Sequence, residues 1–285
     1  WNFFLPDAEE GLRETLVTTS IDARPIQCLR VPGPTFLSFF AAMFTGGVFI
    51  FSTYHWWTAA TCSGALALIT VLVWLWTGTA WIPEKESKDV GLGMSLPIYV
   101  SGKDAVGWWA MFITMLGDMT AFVSLVFGYF FYWTIHDDFP PPDTSGPGWF
   151  WPVVGGILLL CAWGLTLVAR SANKRDRPLV FFTSIAAGAA LSLTGAAALV
   201  YGPSTTGLQP TTHVYPAVVW ILVGWTAVHI VAGVIMQLYC AARRAAGRMT
   251  CRYDADIVNV ALYWHFLALT VLITIAVIAG FPLVA

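Results

Sequence analysis

Three ionisable residues fall inside long apolar stretches of this chain: Asp118, His229 and His265. A carboxyl group and two imidazoles are the side chains that relay protons, ligate haem or tie buried helices together by hydrogen bonds. All three lie near the middle of their stretches. Asp118 is about eleven residues in, roughly 17 Å at the helical rise of 1.5 Å per residue. A charged Asp at that depth costs at least ~2.5–3.5 kcal/mol on insertion scales, so it must face protein, carry a proton or pair with a histidine. One reading is a proton-relay or cofactor site. The other is a buried polar cluster that locks the third, sixth and seventh helices. A two-histidine haem needs both imidazoles to face one haem-sized cavity, and nothing in the spacing demands that. No third or fourth ligand of the right type stands at mid-depth, so no metal is assigned.

The elements that must position these groups are membrane helices. The 285 residues are 58% apolar and 11% charged, and the mean hydropathy is +0.71. A soluble domain carries about 25% charged residues, so the solvent of this chain is lipid. Stretches of about 20 apolar residues, enough to cross roughly 30 Å of hydrocarbon, run over 35–55, 57–82, 107–134, 149–170, 178–201, 215–242 and 257–283. The first two are joined only around His55-Trp56-Trp57. A long polar loop, 83–106, separates that hairpin from the other five. The expected architecture is all-α and integral to the membrane, with seven spans in a two-lobed 2 + 5 bundle. Its parts are an N-terminal segment over 1–34, a hairpin over 35–82, the 83–106 loop and a five-helix bundle over 107–283. Residues 1–34 are expected to form a short surface helix followed by an extended lead into Pro32-Gly33-Pro34.

All 14 Lys and Arg residues fall in alternate connections: 1–34, 83–106, 170–177 and 243–256. The remaining loops carry Asp137, Asp138 and Asp143, or no charge. Positive residues mark the cytoplasmic side, which puts the N-terminus inside and Val284-Ala285 outside. Trp57, Trp81, Trp108 and Trp109 stand at span ends as an interfacial belt. With Lys103 they are the candidate contacts for lipid headgroups. In the fifth span Ser184, Gly188, Ser192 and Ala196 recur every four residues and permit close helix packing.

Other classes are disfavoured by the same reading. The net charge of -2 argues against nucleic acid. No Lys lies in the last span to form a retinal Schiff base, and an inside N-terminus argues against a G-protein-coupled receptor. G-x-S-x-G and phosphate-loop motifs are absent. The five cysteines form neither C-x-x-C nor a Cys/His cluster and read as free thiols.

The motif residues carry a resemblance. The last span reads Ala261-Leu262-Tyr263-Trp264-His265-Phe266, and the sixth Gly224-Trp225-Thr226-Ala227-Val228-His229-Ile230-Val231-Ala232-Gly233. The third reads Met111-Phe112-Ile113-Thr114-Met115-Leu116-Gly117-Asp118-Met119, then Phe127-Gly128-Tyr129-Phe130-Phe131-Tyr132-Trp133. Together with the 2 + 5 layout, residues 35–283 resemble subunit III of the haem–copper cytochrome c oxidases. Asp118 stands where that family usually has Glu, Thr226 where it usually has a further His, and Ala268 where an Asp often follows. Gly11 to Ala23, leading into Leu29-Arg30-Val31-Pro32-Gly33-Pro34, is similar to the linker of fused subunit I–III polypeptides. With Trp1 in first place, the chain reads as the C-terminal part of such a fusion.

The resemblance implies a supporting subunit in a bacterial inner membrane, with no catalytic residue and no metal of its own. Haem and copper would belong to partner subunits I and II, and cytochrome c would donate electrons to the complex. This chain would pack on subunit I, hold phospholipid in a cleft between its lobes, and sustain proton uptake and turnover. Asp118, His229 and His265 would be its functional polar set, tuning structure rather than transferring protons. A quinol oxidase subunit III remains open, as does a seven-helix transporter or membrane cytochrome using the same three residues.

Overall fold

Apolar segments in lipid must satisfy their own backbone, and the helix is the single-segment solution. The computed structural model describes residues 13–31, 33–78, 82–83, 86–142 and 144–283. The fold is all-α and 70% helical. Among the described residues, six helices are long and apolar enough to cross a membrane, which supports a multi-pass membrane protein. The first apolar stretch falls short of the expected seventh span. It folds as α1 (Leu37–Thr53), 17 residues and about 26 Å at the helical rise, against roughly 30 Å of hydrocarbon. The chain divides into two compact units, Trp1–Val100 and Ser101–Ala285.

In the first unit, α1 and α2 (Trp57–Gly78) form an antiparallel hairpin. His55 turns the chain with φ 58°, and the Trp56 amide returns to the Phe51 carbonyl at 2.8 Å. Within the segment expected to hold a surface helix, the described residues 13–31 form a β-hairpin instead. β1 (Arg13–Thr18) pairs antiparallel with β2 (Pro25–Val31). Its β-branched Thr15, Val17, Thr18, Ile26 and Val31 favour the pleated backbone. A smaller hairpin, β3 (Ser87–Asp89) with β4 (Ser95–Pro97), forms inside the 83–106 loop.

The two hairpins are joined by a buried charge. The Glu14 side chain is fully buried; it accepts from Arg30 Nε at 3.1 Å and pairs with Lys88 Nζ. Gln27 Nε2 donates to the Ile98 carbonyl at 3.4 Å. Buried Cys28 lies in this region, and burial pushes its thiol above the ordinary value, reinforced by the Glu14 carboxylate.

The second unit holds α3 (Val106–Ile135), α4 (Phe150–Lys174), α5 (Pro178–Thr205), α6 (Val214–Ala245) and α7 (Ala255–Ile275), with a π turn over Ala276–Gly280. α7 is the hub, packed against α3, α4 and α6. The small-residue stripe of α5 is buried. Its neighbour Gly195 meets α4 so closely that a Cβ there would lie 2.9 Å from Leu159 Cγ.

Most hydroxyls inside the helices return to their own backbone. Thr45, Thr70, Thr114, Thr120, Ser124, Thr166, Ser192 and Thr226 each donate to the carbonyl four residues earlier. This satisfies a polar group without help from lipid or a neighbouring helix. His213 caps α6, its Nδ1 accepting the Tyr215 amide at 3.1 Å. Its Nε2 stands 3.3 Å from Asp138 Oδ2.

Candidate functional site

Asp118 sits on α3 and His229 on α6, each near the middle of its helix. His229 Nε2 and Asp118 Oδ2 are 3.8 Å apart, an ion-pair separation beyond a direct hydrogen bond. Neither is sealed: the side chains are 17% and 40% exposed, respectively.

The histidine is the better held of the two. His229 Nδ1 is 2.8 Å from the Trp225 carbonyl. A carbonyl only accepts, so Nδ1 carries a proton, and in the neutral ring Nε2 presents its lone pair towards Asp118. Trp225 stacks on the imidazole, with centroids 3.7 Å apart and planes at 25°. Phe122 of α3 in turn lies 4.8 Å from the Trp225 ring. From α7, Tyr263 Oη donates to the His229 carbonyl at 2.9 Å. At Gly233, one turn on, an added Cβ would stand 3.2 Å from Tyr263 Cε1, so the absent side chain lets α7 approach. A third tie between α6 and α7 is the buried Thr226–Thr274 hydroxyl pair at 3.0 Å.

Chemically, the pair can hold one proton, on the Asp118 carboxyl or on His229 Nε2, across a gap too long for a direct hydrogen bond. With that proton in place it carries no net charge, the inexpensive state within hydrocarbon. It also fastens α3 to α6.

His265 is not part of this site. It lies on the exposed face of α7 and accepts from Trp163 Nε1 of α4 at 2.9 Å. The expectation of one buried three-residue cluster is therefore corrected to a half-buried pair and a separate exposed histidine. Depth aligned the three residues, but facing did not: Tyr263 meets α6, and two residues on at about 100° each the helix presents its other side. The two imidazoles thus do not share a cavity for a single haem. Among the described residues, no group of three His, Cys, Asp or Glu side chains is placed to hold a metal ion.

The interfacial candidates divide similarly. Trp109 is 50% exposed and its Nε1 donates to the Lys103 carbonyl at 2.8 Å. Trp108 stacks on Phe112 with planes 5° apart. These form an aromatic collar at the start of α3. Trp57 is exposed at the start of α2. Trp81 lies outside the described residues, as do residues 1–12 and Val284-Ala285.

Several polar residues escaped the sequence reading. Gln237 of α6 is fully buried and donates to Thr166 Oγ1 of α4 at 2.7 Å. Arg243 is 5% exposed and binds Asp256 Oδ2 at 2.7 Å, closing the α6–α7 turn. Arg244 pairs with Asp176, and Asn173 Nδ2 donates to the Thr250 carbonyl at 2.9 Å, joining the α4–α5 and α6–α7 turns. Only Trp225 gave a readable signal, since it stands four residues before His229 on one helix face.

No protein-family model matches the chain, and no curated protein matches it at a significant level.

Proposed function

We propose that this chain is a supporting, non-catalytic third subunit of a proton-translocating haem–copper terminal oxidase, which reduces oxygen to water. One observation carries the reading. The three segments on which the resemblance rests meet at one point: Asp118 of α3 faces His229 of α6, whose carbonyl is held by Tyr263 of the Tyr-Trp-His-Phe element. Three sequence motifs that lie far apart in the chain thus form one contact network.

On this reading the chain lies in a bacterial inner membrane with its N-terminus inside and its C-terminus outside. It is the subunit III part of a polypeptide fused to subunit I. Its helices divide as 2 + 5, and the chain binds phospholipid, whose headgroups meet the Trp108–Trp109 collar, Trp57 and Lys103. Haem and copper belong to subunits I and II. Cytochrome c donates the electrons, because the quinol-oxidase third subunit usually lacks the first hairpin. Asp118 and His229 tune helix packing and the turnover it sustains.

The test is gentle purification from the native membrane, with a reduced-minus-oxidised spectrum and a partner mass list. Haem a bands with copper-binding partners support the oxidase subunit. A spectrally silent, solitary chain would overturn it in favour of a transporter with Asp118 as its coupling carboxylate.

A further inference from the structure

His265 lies ten positions past Ala255, about 15 Å along α7 at the helical rise and so at hydrocarbon depth. It is exposed. An indole N–H only donates, so the Trp163 contact fixes the lone pair of the imidazole on Nδ1. The neutral ring then carries its proton on Nε2, and among the described residues nothing accepts it. Arg170, the cation that acts on this ring, offers only donors. Hydrocarbon supplies no acceptor either, and an unsatisfied polar group there costs several kcal/mol.

The surroundings have the shape of a helix seat. Leu269, Leu272 and Ala276 are exposed at steps of four, three and four from His265, forming one apolar line along α7.

We propose that this α4–α7 face is covered by a membrane-spanning helix of a different polypeptide, which presents an oxygen acceptor to His265 Nε2–H. A second copy in a two-fold dimer would set this same patch against itself, and its exposed side chains Leu269, Leu272 and Ala276 offer no oxygen acceptor. Acyl chains would leave the donor unsatisfied. The inference rests on the chain spanning a membrane and not on the oxidase reading.

The experiment places the photo-cross-linker p-benzoylphenylalanine at Leu269 or Leu272 of the full chain in its native membrane, followed by mass spectrometry of the adducts. The expected product joins α7 to a peptide of another membrane polypeptide. Adducts only with lipid, only with a second copy, or only within this chain overturn the proposal. In parallel, His265→Phe should lower recovery of that partner roughly three- to tenfold, while His265→Gln, which keeps a donor, restores it. Equal recovery with all three side chains would also overturn it. A cross-linked partner in a complex without haem a leaves this inference standing and removes the oxidase reading. Haem a bands accompanied by lipid adducts alone do the reverse.

Discussion

Gly155 of α4 faces Gly195 of α5 so directly that a Cβ on Gly155 would lie 2.8 Å from the Gly195 carbonyl oxygen. Backbone, unlike a side-chain tip, cannot swing aside. Gly155→Ala should therefore push the helices apart and cost about 2 kcal/mol, as overpacking does. Gly117→Ala, where nothing lies within 4 Å, should stay within about 0.5 kcal/mol of the parent. Unfolding in mild detergent, followed by helical circular dichroism, compares the two; equal loss would refute the close approach.

At the Asp118–His229 pair, two substitutions separate packing from proton transfer. Asp118→Asn keeps a polar side chain of the same shape facing His229 but cannot lose a proton. Asp118→Ala removes the contact. If the pair tunes structure, Asn preserves assembly and turnover, and Ala reduces the resistance of the complex to inactivation during turnover. Loss of turnover in the Asn variant with normal assembly would point to a proton relay.

The Glu14 carboxylate contacts both Arg30 and Lys88. Glu14→Gln removes the carboxylate that Arg30 and Lys88 share, and losing one partner of a buried pair costs about 3 kcal/mol. The β1–β2 hairpin should then be cleaved by protease much faster than in the parent, while the helices of the second unit stay protected. An unchanged digestion pattern would refute the role of Glu14.

His213 caps α6 through its Nδ1. Replacing it with Ala should cost about 1 kcal/mol, and replacing it with Asn, a good cap residue, should recover most of that. Amide hydrogen exchange at Tyr215 reads the cap directly, and equal exchange in all three proteins would dismiss it.

Cys28 gives a pH dependence of definite sign. Burial, then the Glu14 carboxylate, raise its thiol above the ordinary value. Below the ordinary value, folded and unfolded chains are both protonated and the stabilisation is complete. As pH climbs from there through the raised folded value, the unfolded chain releases its proton first and the first unit loses stability. Maleimide at mildly alkaline pH should label exposed Cys251 promptly and Cys28 only after denaturation. Cys28→Ala should flatten the alkaline slope.

The helices were legible because 20-residue apolar runs leave the backbone little choice in lipid. The short α1 was over-read, since the 35–55 stretch begins at Thr35-Phe36, before the helix starts at Leu37. The β1–β2 hairpin was missed because mixed charge in 1–34 masked the β-branched positions at Thr15, Val17 and Ile26. At the site, depth along a helix could be counted from residue positions, which found Asp118 and His229. Which side of α7 meets α6 depends on packing between helices, so His265 was grouped with a pair it does not touch. Gln237 and Arg243 were invisible for the same reason: their partners come from other elements.

The back-bonded hydroxyls have a consequence for biogenesis. A helix whose Thr and Ser groups are satisfied internally is ready for lipid as soon as it leaves the translocon, before any neighbour exists. Gln237 also has no waiting time, because Thr166 on α4 is already in the membrane when α6 arrives. Asp118 is different: α3 enters three helices ahead of His229, so its carboxyl must sit unmatched until α6 is made. That interval is when the nascent chain is most exposed to quality-control proteases, and early termination between α5 and α6 should yield the fragment they clear fastest.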